Sequence, residues 1–527
     1  MDDELHKSIE RDREAALPEA HLVRRYRAYA RGNQPIKLTE TERKCVAGIL
    51  GNRFCDNIVG KVLSTVSTRL RFARWTYDAG SETTTRSALD FLTGIRQKNS
   101  LLGLAHQVHW SMLRDGDCAL MMTWKNGSNA SNGRVMLTRE PFWDGQSGVF
   151  IAYDTDGQVD YAVKDWYESN GTLRRNLYRP ASIVKYSKQA NSDTWEPFYD
   201  TPESEWPIPW LDASGQPIGV PFVHFANPLF PNDGEVADDD SEPLGSKSAT
   251  EQSHSKDSSF FDASYGVSEC ASGLLGQQDH LNASHFDIAG ARRFTAFQMY
   301  FATGVDATET VTKPDGTTED VAVKIPVQPG MFHTFEAADS RVGTLPAADL
   351  KPLIDSVEVT LRAVSRGSDV PMHTFTGQWP SGSAIYQSEA PLNFKVEKIA
   401  DAISSAWGSV GFWCLHLDNI FGTGRWDLER MVGVEFGSVA RLDPITLADY
   451  ANAIADHISE AEYLRLVGYD QGEIETITTE RASDLELAQQ HADALAQAAL
   501  TRFNRGAGGG PPSPQPAPPN PPNPTGG

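Results

Sequence analysis

Gly60-Lys61 is the first place in the chain where phosphate chemistry could be seated, because a glycine turn followed by lysine offers backbone N–H groups and a cation. Cys55 stands where the first glycine of a G-x-x-x-x-G-K-[ST] loop belongs, and Val62 replaces the hydroxyl residue, so a phosphate loop is excluded. Asp154, Asp156 and Asp160 resemble a calcium loop in composition, but Gly157 falls too early, and Asp156-Gly157 reads as a hairpin turn. The run Asp238 to Asp240 lacks the alternating spacing that lets carboxylates converge on an ion. His280 and His285 are five apart on a predicted helix and do not share a face. The sequence has no H-E-x-x-H, G-x-S-x-G or C-x-x-C motif. A hydrolase working through an Asp/Glu pair has 70 acids to draw on, and spacing selects none. No catalytic residue, metal site or cofactor is predicted.

The elements around these residues belong to a globular chain. Of its 527 residues 40% are hydrophobic and 22% charged, and at ~100–200 residues per domain this length predicts three to five structural units. Lys and Arg number 47 against 70 Asp and Glu, a formal charge of −23. Affinity for a phosphate backbone comes from cations that displace counterions, so this balance disfavours a DNA clamp while allowing a passage that DNA slides through. Cys45, Cys55, Cys118, Cys270 and Cys414 are too scattered for a disulfide framework, which predicts a reducing compartment. The charged start, Met1-Asp2-Asp3-Glu4-Leu5-His6-Lys7, predicts no secretory signal. No run approaches the ~18–20 apolar residues of a membrane span, the segment from Ala406 to Leu417 stopping short, and a cytoplasmic, soluble product is expected.

Periodicity then divides the chain. Leu5 to Ala30 has few strong apolar positions and reads as an arm or surface helix. From Thr39 to Arg71, Val46, Ile49, Leu50, Phe54, Ile58, Val62 and Val66 recur at three and four residues, predicting a helix with one buried face. A second helix is predicted from Ser87 to Leu113. Strands follow at 118–124, 134–138, 149–153, 159–166 and 174–178, punctuated by Asn126-Gly127, Asn132-Gly133, Asp156-Gly157 and Asn170-Gly171, an antiparallel meander. Residues 227–264 are rich in Asp, Ser and Glu and read as a long exposed loop. A helix opened by Ser268 is predicted to Phe301, a β-rich insert from Gly304 to Gly343, and a returning helix from Ala347 to Ser365. Helices at 392–418, 446–457, 460–467 and 470–503 complete an α+β chain, and Gly506 to Gly527 form a Pro- and Gly-rich disordered tail.

Several segments, in order, resemble the portal, or head-to-tail connector, proteins of tailed bacteriophages, particularly the long-tailed type. They are Asn52-Arg53-Phe54-Cys55-Asp56-Asn57-Ile58-Val59, Asp115-Gly116-Asp117-Cys118-Ala119, the strands Ala162-Val163-Lys164-Asp165-Trp166 and Leu177-Tyr178-Arg179-Pro180, and Gly219-Val220-Pro221-Phe222-Val223-His224-Phe225-Ala226-Asn227. Further on come Gly266-Val267-Ser268-Glu269, Gln278-Asp279-His280-Leu281-Asn282 and Pro380-Ser381-Gly382-Ser383-Ala384, with Leu392 and Lys395 to Lys398 beyond. The acidic loop and the tail lie outside the resemblance.

The resemblance implies a phage portal fold. It would comprise an N-terminal wing at 1–265, a stem helix at 266–303, a clip at 304–343, a second stem helix at 344–370, a tunnel loop (about 372–388) and C-terminal wing within 371–440, a crown at 441–505 and the tail at 506–527. It also implies a non-enzymatic dodecameric ring at one capsid vertex of the virion, assembled in the host cytoplasm, through which double-stranded DNA is packaged and ejected. The partners implied are the large terminase, the major capsid protein, a head-completion adaptor and a scaffolding protein, with no membrane. Lys351, Arg362, Arg366, Trp379 and Ser381 are the candidate DNA-channel residues, with surface ion pairs as the alternative for the three cations. Lys313, Asp315 and Lys324 are the candidate terminase or adaptor contacts in the clip. Ser268 and Glu269 suit a helix start, the hydroxyl accepting a free N–H and the carboxylate facing the positive end of the dipole. The alternatives are a tail or baseplate component and the hydrolase.

Overall fold

The computed structural model describes residues 2–34, 40, 56–126, 133–190, 192, 194–198, 207–228, 265–271, 273–296, 300–303, 308–322, 341–344, 349–380, 384–437, 459, 461, 463, 464 and 471–506. The chain divides into two compact units, Met1–Ala440 and Arg441–Gly527.

Helices α1 (Asp2–Ala16) and α2 (Val23–Ala30) lead the first unit. The expected surface arm is instead pinned down, with Ile9, Arg13 and Tyr29 each 1% exposed. Helix α3 (Ile58–Ser67) realises the last part of the periodic segment, and Ile58, Val62 and Val66 are buried as the spacing predicts; 41–55 lie outside the described residues. Its start explains Gly60-Lys61. Asn57 caps the helix by accepting from Gly60 N at 2.9 Å, while its amide donates to Ala30 O at 3.0 Å. A Cβ on Gly60 would lie 2.5 Å from the Asn57 amide and 2.8 Å from Ala30 O, so this glycine serves close packing.

Strand β1 (Phe72–Tyr77) precedes α4 (Glu82–Lys98) and α5 (Leu101–Asp115). The single helix expected over 87–113 is thus two, broken at Ser100, whose φ is 50°. The break is tertiary in origin: the Asn99 side chain donates to Val135 O at 3.1 Å and accepts from Leu137 N at 3.0 Å.

Strands β2 (Asp117–Lys125), β3 (Arg134–Pro141), β4 (Gly148–Tyr153), β5 (Val159–Tyr167), β6 (Leu173–Arg179), β7 (Ser182–Lys188), β8 (Glu196–Pro197), β9 (Ile208–Pro209) and β10 (Phe222–Ala226) follow. The five predicted meander strands are present as β2 to β6 but divide between two antiparallel sheets, which β7 to β10 complete. One has the order β10-β2-β3, the other β4-β5-β6-β7-β8 with β9 also on β7. α1 covers the larger sheet through Ile9, which clusters with Val163, Leu177, Val184 and Tyr186.

After a 3-10 turn at Glu269–Ala271 come α6 (Leu274–Ala296), β11 (Tyr300–Thr303), β12 (Thr308–Thr312), β13 (Thr318–Ala322), β14 (Arg341–Thr344) and α7 (Lys351–Ser368). Relative to expectation, α6 starts later and Phe301 lies in a strand. A single turn α8 (His373–Thr376), the long helix α9 (Ala384–Phe421) and β15 (Val432–Phe436) close the unit, β15 pairing antiparallel with β1. α9 begins eight residues before the expected Leu392 and runs through Pro391.

The main core gathers α3, α5, β1, β2 and α9 around Trp407, which is fully buried. Trp407 Nε1 donates to His109 Nε2 at 2.9 Å, and Trp75 Nε1 donates to Trp407 O at 2.8 Å. In the second unit α10 spans Gln471–Gly506, close to the predicted helix. The helices expected at 446–457 and most of 460–467, the acidic segment 229–264 and the tail 507–527 lie outside the described residues.

Candidate functional site

The candidate site is the excursion that leaves the body after Glu269 and returns at Ser368. α6 and α7 pack side by side, β11 pairs with β14 antiparallel where the two helices give way to the insert, and β12 and β13 form a hairpin beyond them. Thr-rich alternation and the Pro314-Asp315-Gly316 turn explain the hairpin. Val311 and Val321 are 47% exposed on it.

The motif residues at the base of the excursion are anchors. Gln278 is fully buried on α6; its Oε1 accepts from Ile58 N at 2.8 Å and Val59 N at 3.3 Å, taking up N–H groups at the start of α3. Its neighbour Asp279 accepts from Tyr29 Oη at 2.8 Å, and Asn282 Oδ1 accepts from Asp56 N at 3.3 Å. Gly266 admits a close backbone crossing, since a Cβ there would lie 2.3 Å from Asn227 N and 2.4 Å from Gly116 O. Ser268 Oγ accepts from Cys270 N at 3.0 Å, as its capping role predicts, and also donates to Arg114 O.

Glu269 departs from expectation. It does not sit free at a helix dipole but is buried in an ion pair, Lys395 Nζ to Glu269 Oε2 at 2.8 Å. The same ammonium donates to Ser368 O at 3.1 Å. The sequence singled out both Glu269 and Lys395, yet nothing in spacing links residues 126 apart.

The candidate channel and clip residues are spread along the excursion and just past it. Lys351 and Arg366 are exposed at the two ends of α7. Arg362 pairs with Glu358 at 2.5 Å, one helical turn away, the surface-pair alternative weighed above. Trp379 is 65% exposed and its ring centroid lies 4.6 Å from that of His373. On the hairpin, Lys313 pairs with Glu319, and Asp315 Oδ1 accepts from Thr317 Oγ1 at 2.6 Å and Thr317 N at 3.0 Å. Those two hydrogen bonds hold the Asp315 carboxyl below its ordinary range. Ser381 and Lys324 lie outside the described residues.

Asp117 has a carboxyl raised by desolvation, the feature a general acid needs, but it is 3% exposed and already engaged. It accepts from His224 Nε2 at 2.8 Å and Gly266 N at 2.7 Å, while His224 Nδ1 lies 2.8 Å from Tyr153 Oη and the imidazole stacks on Phe142. These bonds tie β2, β4 and β10 to the strand of chain that re-enters at Tyr265. Cys118 and Cys270 are buried and their thiols are pushed up to about 12 by desolvation, which makes them poor nucleophiles. Among the described residues no group of three or more His, Cys, Asp or Glu could hold a metal ion, and no helix is long and apolar enough to cross a membrane.

Neither a family model nor a curated protein matches the chain. Among solved structures it is similar to a chain described as "Neck of empty GTA particle computed with C6 symmetry", at 11% identity over 83% of this chain and 95% of that one, with a TM-score of 0.40. A second, "Neck of native GTA particle computed with C12 symmetry", aligns at 10% identity over 83% of this chain and 96% of that one, with a TM-score of 0.37.

Proposed function

We propose that the chain is a phage portal protein: a ring at one capsid vertex that conducts the genome during packaging and ejection and docks the terminase and head-completion proteins. The observation that carries this reading is the helix, β-insert, helix excursion anchored at its base by the motif residues Gln278, Asn282, Ser268 and Glu269. Such a projection lets one copy reach its neighbours, and a head-to-tail contact repeated around an axis closes into a ring. In this reading α6 and α7 are the stem, 304–343 the clip, the segment around Trp379 and Ser381 the tunnel loop, and 441–505 the crown.

The net charge of −23 per copy suits a conduit, because a wall that mostly repels phosphates lets DNA pass without being held. Lys351, Arg362, Arg366, Trp379 and Ser381 are the channel candidates under this reading. With no phosphate loop in the sequence, ATP hydrolysis falls to the large terminase. The major capsid protein would face the wing, and a scaffolding protein would take part in assembly.

The test is negative-stain electron microscopy of the purified full-length protein, alone and co-expressed with its capsid protein. Closed rings with a central hole of duplex width are expected. Monomers under both conditions, or an open helical polymer, would refute the reading in favour of another virion component.

A further inference from the structure

One ammonium gathers both feet of the excursion. Glu269 stands in the turn that leads into α6 and Ser368 is the last residue of the returning helix, and both meet Lys395 Nζ, at 2.8 and 3.1 Å. All three residues are buried, in a neighbourhood where Cys270, Leu274, Val364, Val370, Leu392 and Val396 belong to one hydrophobic core. The helix end it meets is sharply turned, with Asp369 at φ 57°, so the Ser368 carbonyl points at the cation with no following helical N–H to take it.

A buried ion pair is a poor way to add net stability, because desolvating both charges offsets most of their attraction, and apolar side chains of similar volume would hold these elements as well. What apolar side chains lack is direction. A methionine accepts many relative positions of α6, α7 and α9, whereas an ammonium held between one carboxylate and one carbonyl accepts few.

We infer that Lys395 with Glu269 is a register staple: a positioning pair that sets the angle at which the α6–α7 projection stands on the body. This rests on the portal reading for its consequence. In a closed ring every copy must present its projection at the same angle, so a loosened staple yields rings of unequal copy number or open arcs rather than unfolded protein.

Two variants separate register from stability. Glu269→Leu with Lys395→Met removes both charges and keeps the volume, while Glu269→Gln keeps an acceptor for Lys395 but leaves its charge uncompensated. The urea midpoint, amide exchange at 269–271 and 366–370, and the symmetry of end-on rings are measured on the full-length protein. The staple predicts that Glu269→Leu/Lys395→Met retains the wild-type midpoint, exchanges at least tenfold faster at both feet and forms rings of mixed symmetry. Glu269→Gln lowers the midpoint yet forms uniform rings. Uniform rings and wild-type exchange in the double variant would overturn the inference, as would ring heterogeneity that merely follows the midpoint in both variants. If the wild-type protein forms no rings either alone or co-expressed with its capsid protein, the portal reading fails, and the exchange data alone decide the staple: faster exchange in the double variant at an unchanged midpoint upholds it, and equal exchange overturns it.

Discussion

Acidification should destabilise the first unit through His109. The ring is fully buried between two fixed partners: Trp407 Nε1–H donates to Nε2 at 2.9 Å, and Nδ1 lies 3.1 Å from Leu70 O. The first contact requires a lone pair on Nε2 and the second a proton on Nδ1, so the imidazole is neutral in one tautomer. Protonation would set two N–H groups against each other in a dry core. Burial accordingly lowers the His109 pKa from 6.5 to about 4. Because the folded value is depressed, the unfolded chain binds the extra proton between these limits; the stabilisation is complete above pH 6.5 and is lost as pH falls toward 4. The full loss is about 3 kcal/mol, of which roughly 1.4 kcal/mol has gone by pH 5.5, at ~1.36 kcal/mol per unit. Glutamine at this position keeps both jobs, its carbonyl accepting from Trp407 and its amide donating to Leu70, without titrating. Urea unfolding of wild type and His109→Gln, followed by tryptophan fluorescence at pH 7.5 and 5.5, isolates the histidine because every other titration is common to both. The wild type is expected to lose about 1.4 kcal/mol more than the variant over this interval. Parallel losses would refute the assigned tautomer and burial.

Two further outcomes follow from ion pairs in the first unit. Asp165 accepts from Arg13 at 2.8 Å and from Arg175 at 2.7 Å, and these cations hold its buried carboxyl below the ordinary range, so Asp165→Asn leaves two buried guanidiniums to share the half-exposed Glu10 carboxylate under α1; a loss of about 3–5 kcal/mol in α1 docking is expected, read as proteolysis ahead of Leu17. Lys313→Glu reverses an exposed pair with Glu319 that contributes at most ~1 kcal/mol, so folding and rings should persist while terminase or adaptor docking falls, and unchanged DNA packaging would count against the clip assignment.

How far these features could be read in advance depended on whether their causes were local. The meander was legible because Asp-Gly and Asn-Gly turns act within a few residues of the strands they join. The α4/α5 break was not, since the Asn99 side chain, besides bonding Ile95 O within its own helix, bonds β3 more than thirty residues on. α1 looked like a solvated arm because the face it buries is polar: His6, Glu10 and Arg13 meet Arg175 and Asp165 across the sheet, and hydropathy assigns such a face to water. The helix predicted from Leu392 begins instead at Ala384 and runs through Pro391, with the residues ahead of that proline held by contacts distant in sequence, including Arg69 with Glu389 at 2.9 Å. At the site, the sequence marked Glu269 and Lys395 as separate motif positions, and only the fold made them partners.

The buried polar groups share a pattern that bears on function. Arg13 reaches Asp165 across 152 residues, Lys395 reaches Glu269 across 126, Gln278 reaches Ile58 N across 220 and Trp407 reaches His109 across 298. In each case the bond joins two elements whose relative placement packing alone would leave adjustable. An active site spends buried polarity differently: it leaves a carboxylate, imidazole or thiol oriented toward a space where substrate will sit, and tolerates the cost of its incomplete satisfaction. Here the group with the most enzyme-like shift, Asp117, accepts hydrogen bonds from both His224 and Gly266. Polarity used to fix angles and registers suits a protein whose product is geometry, repeated identically from copy to copy, which is the demand that a closed ring makes of its subunits.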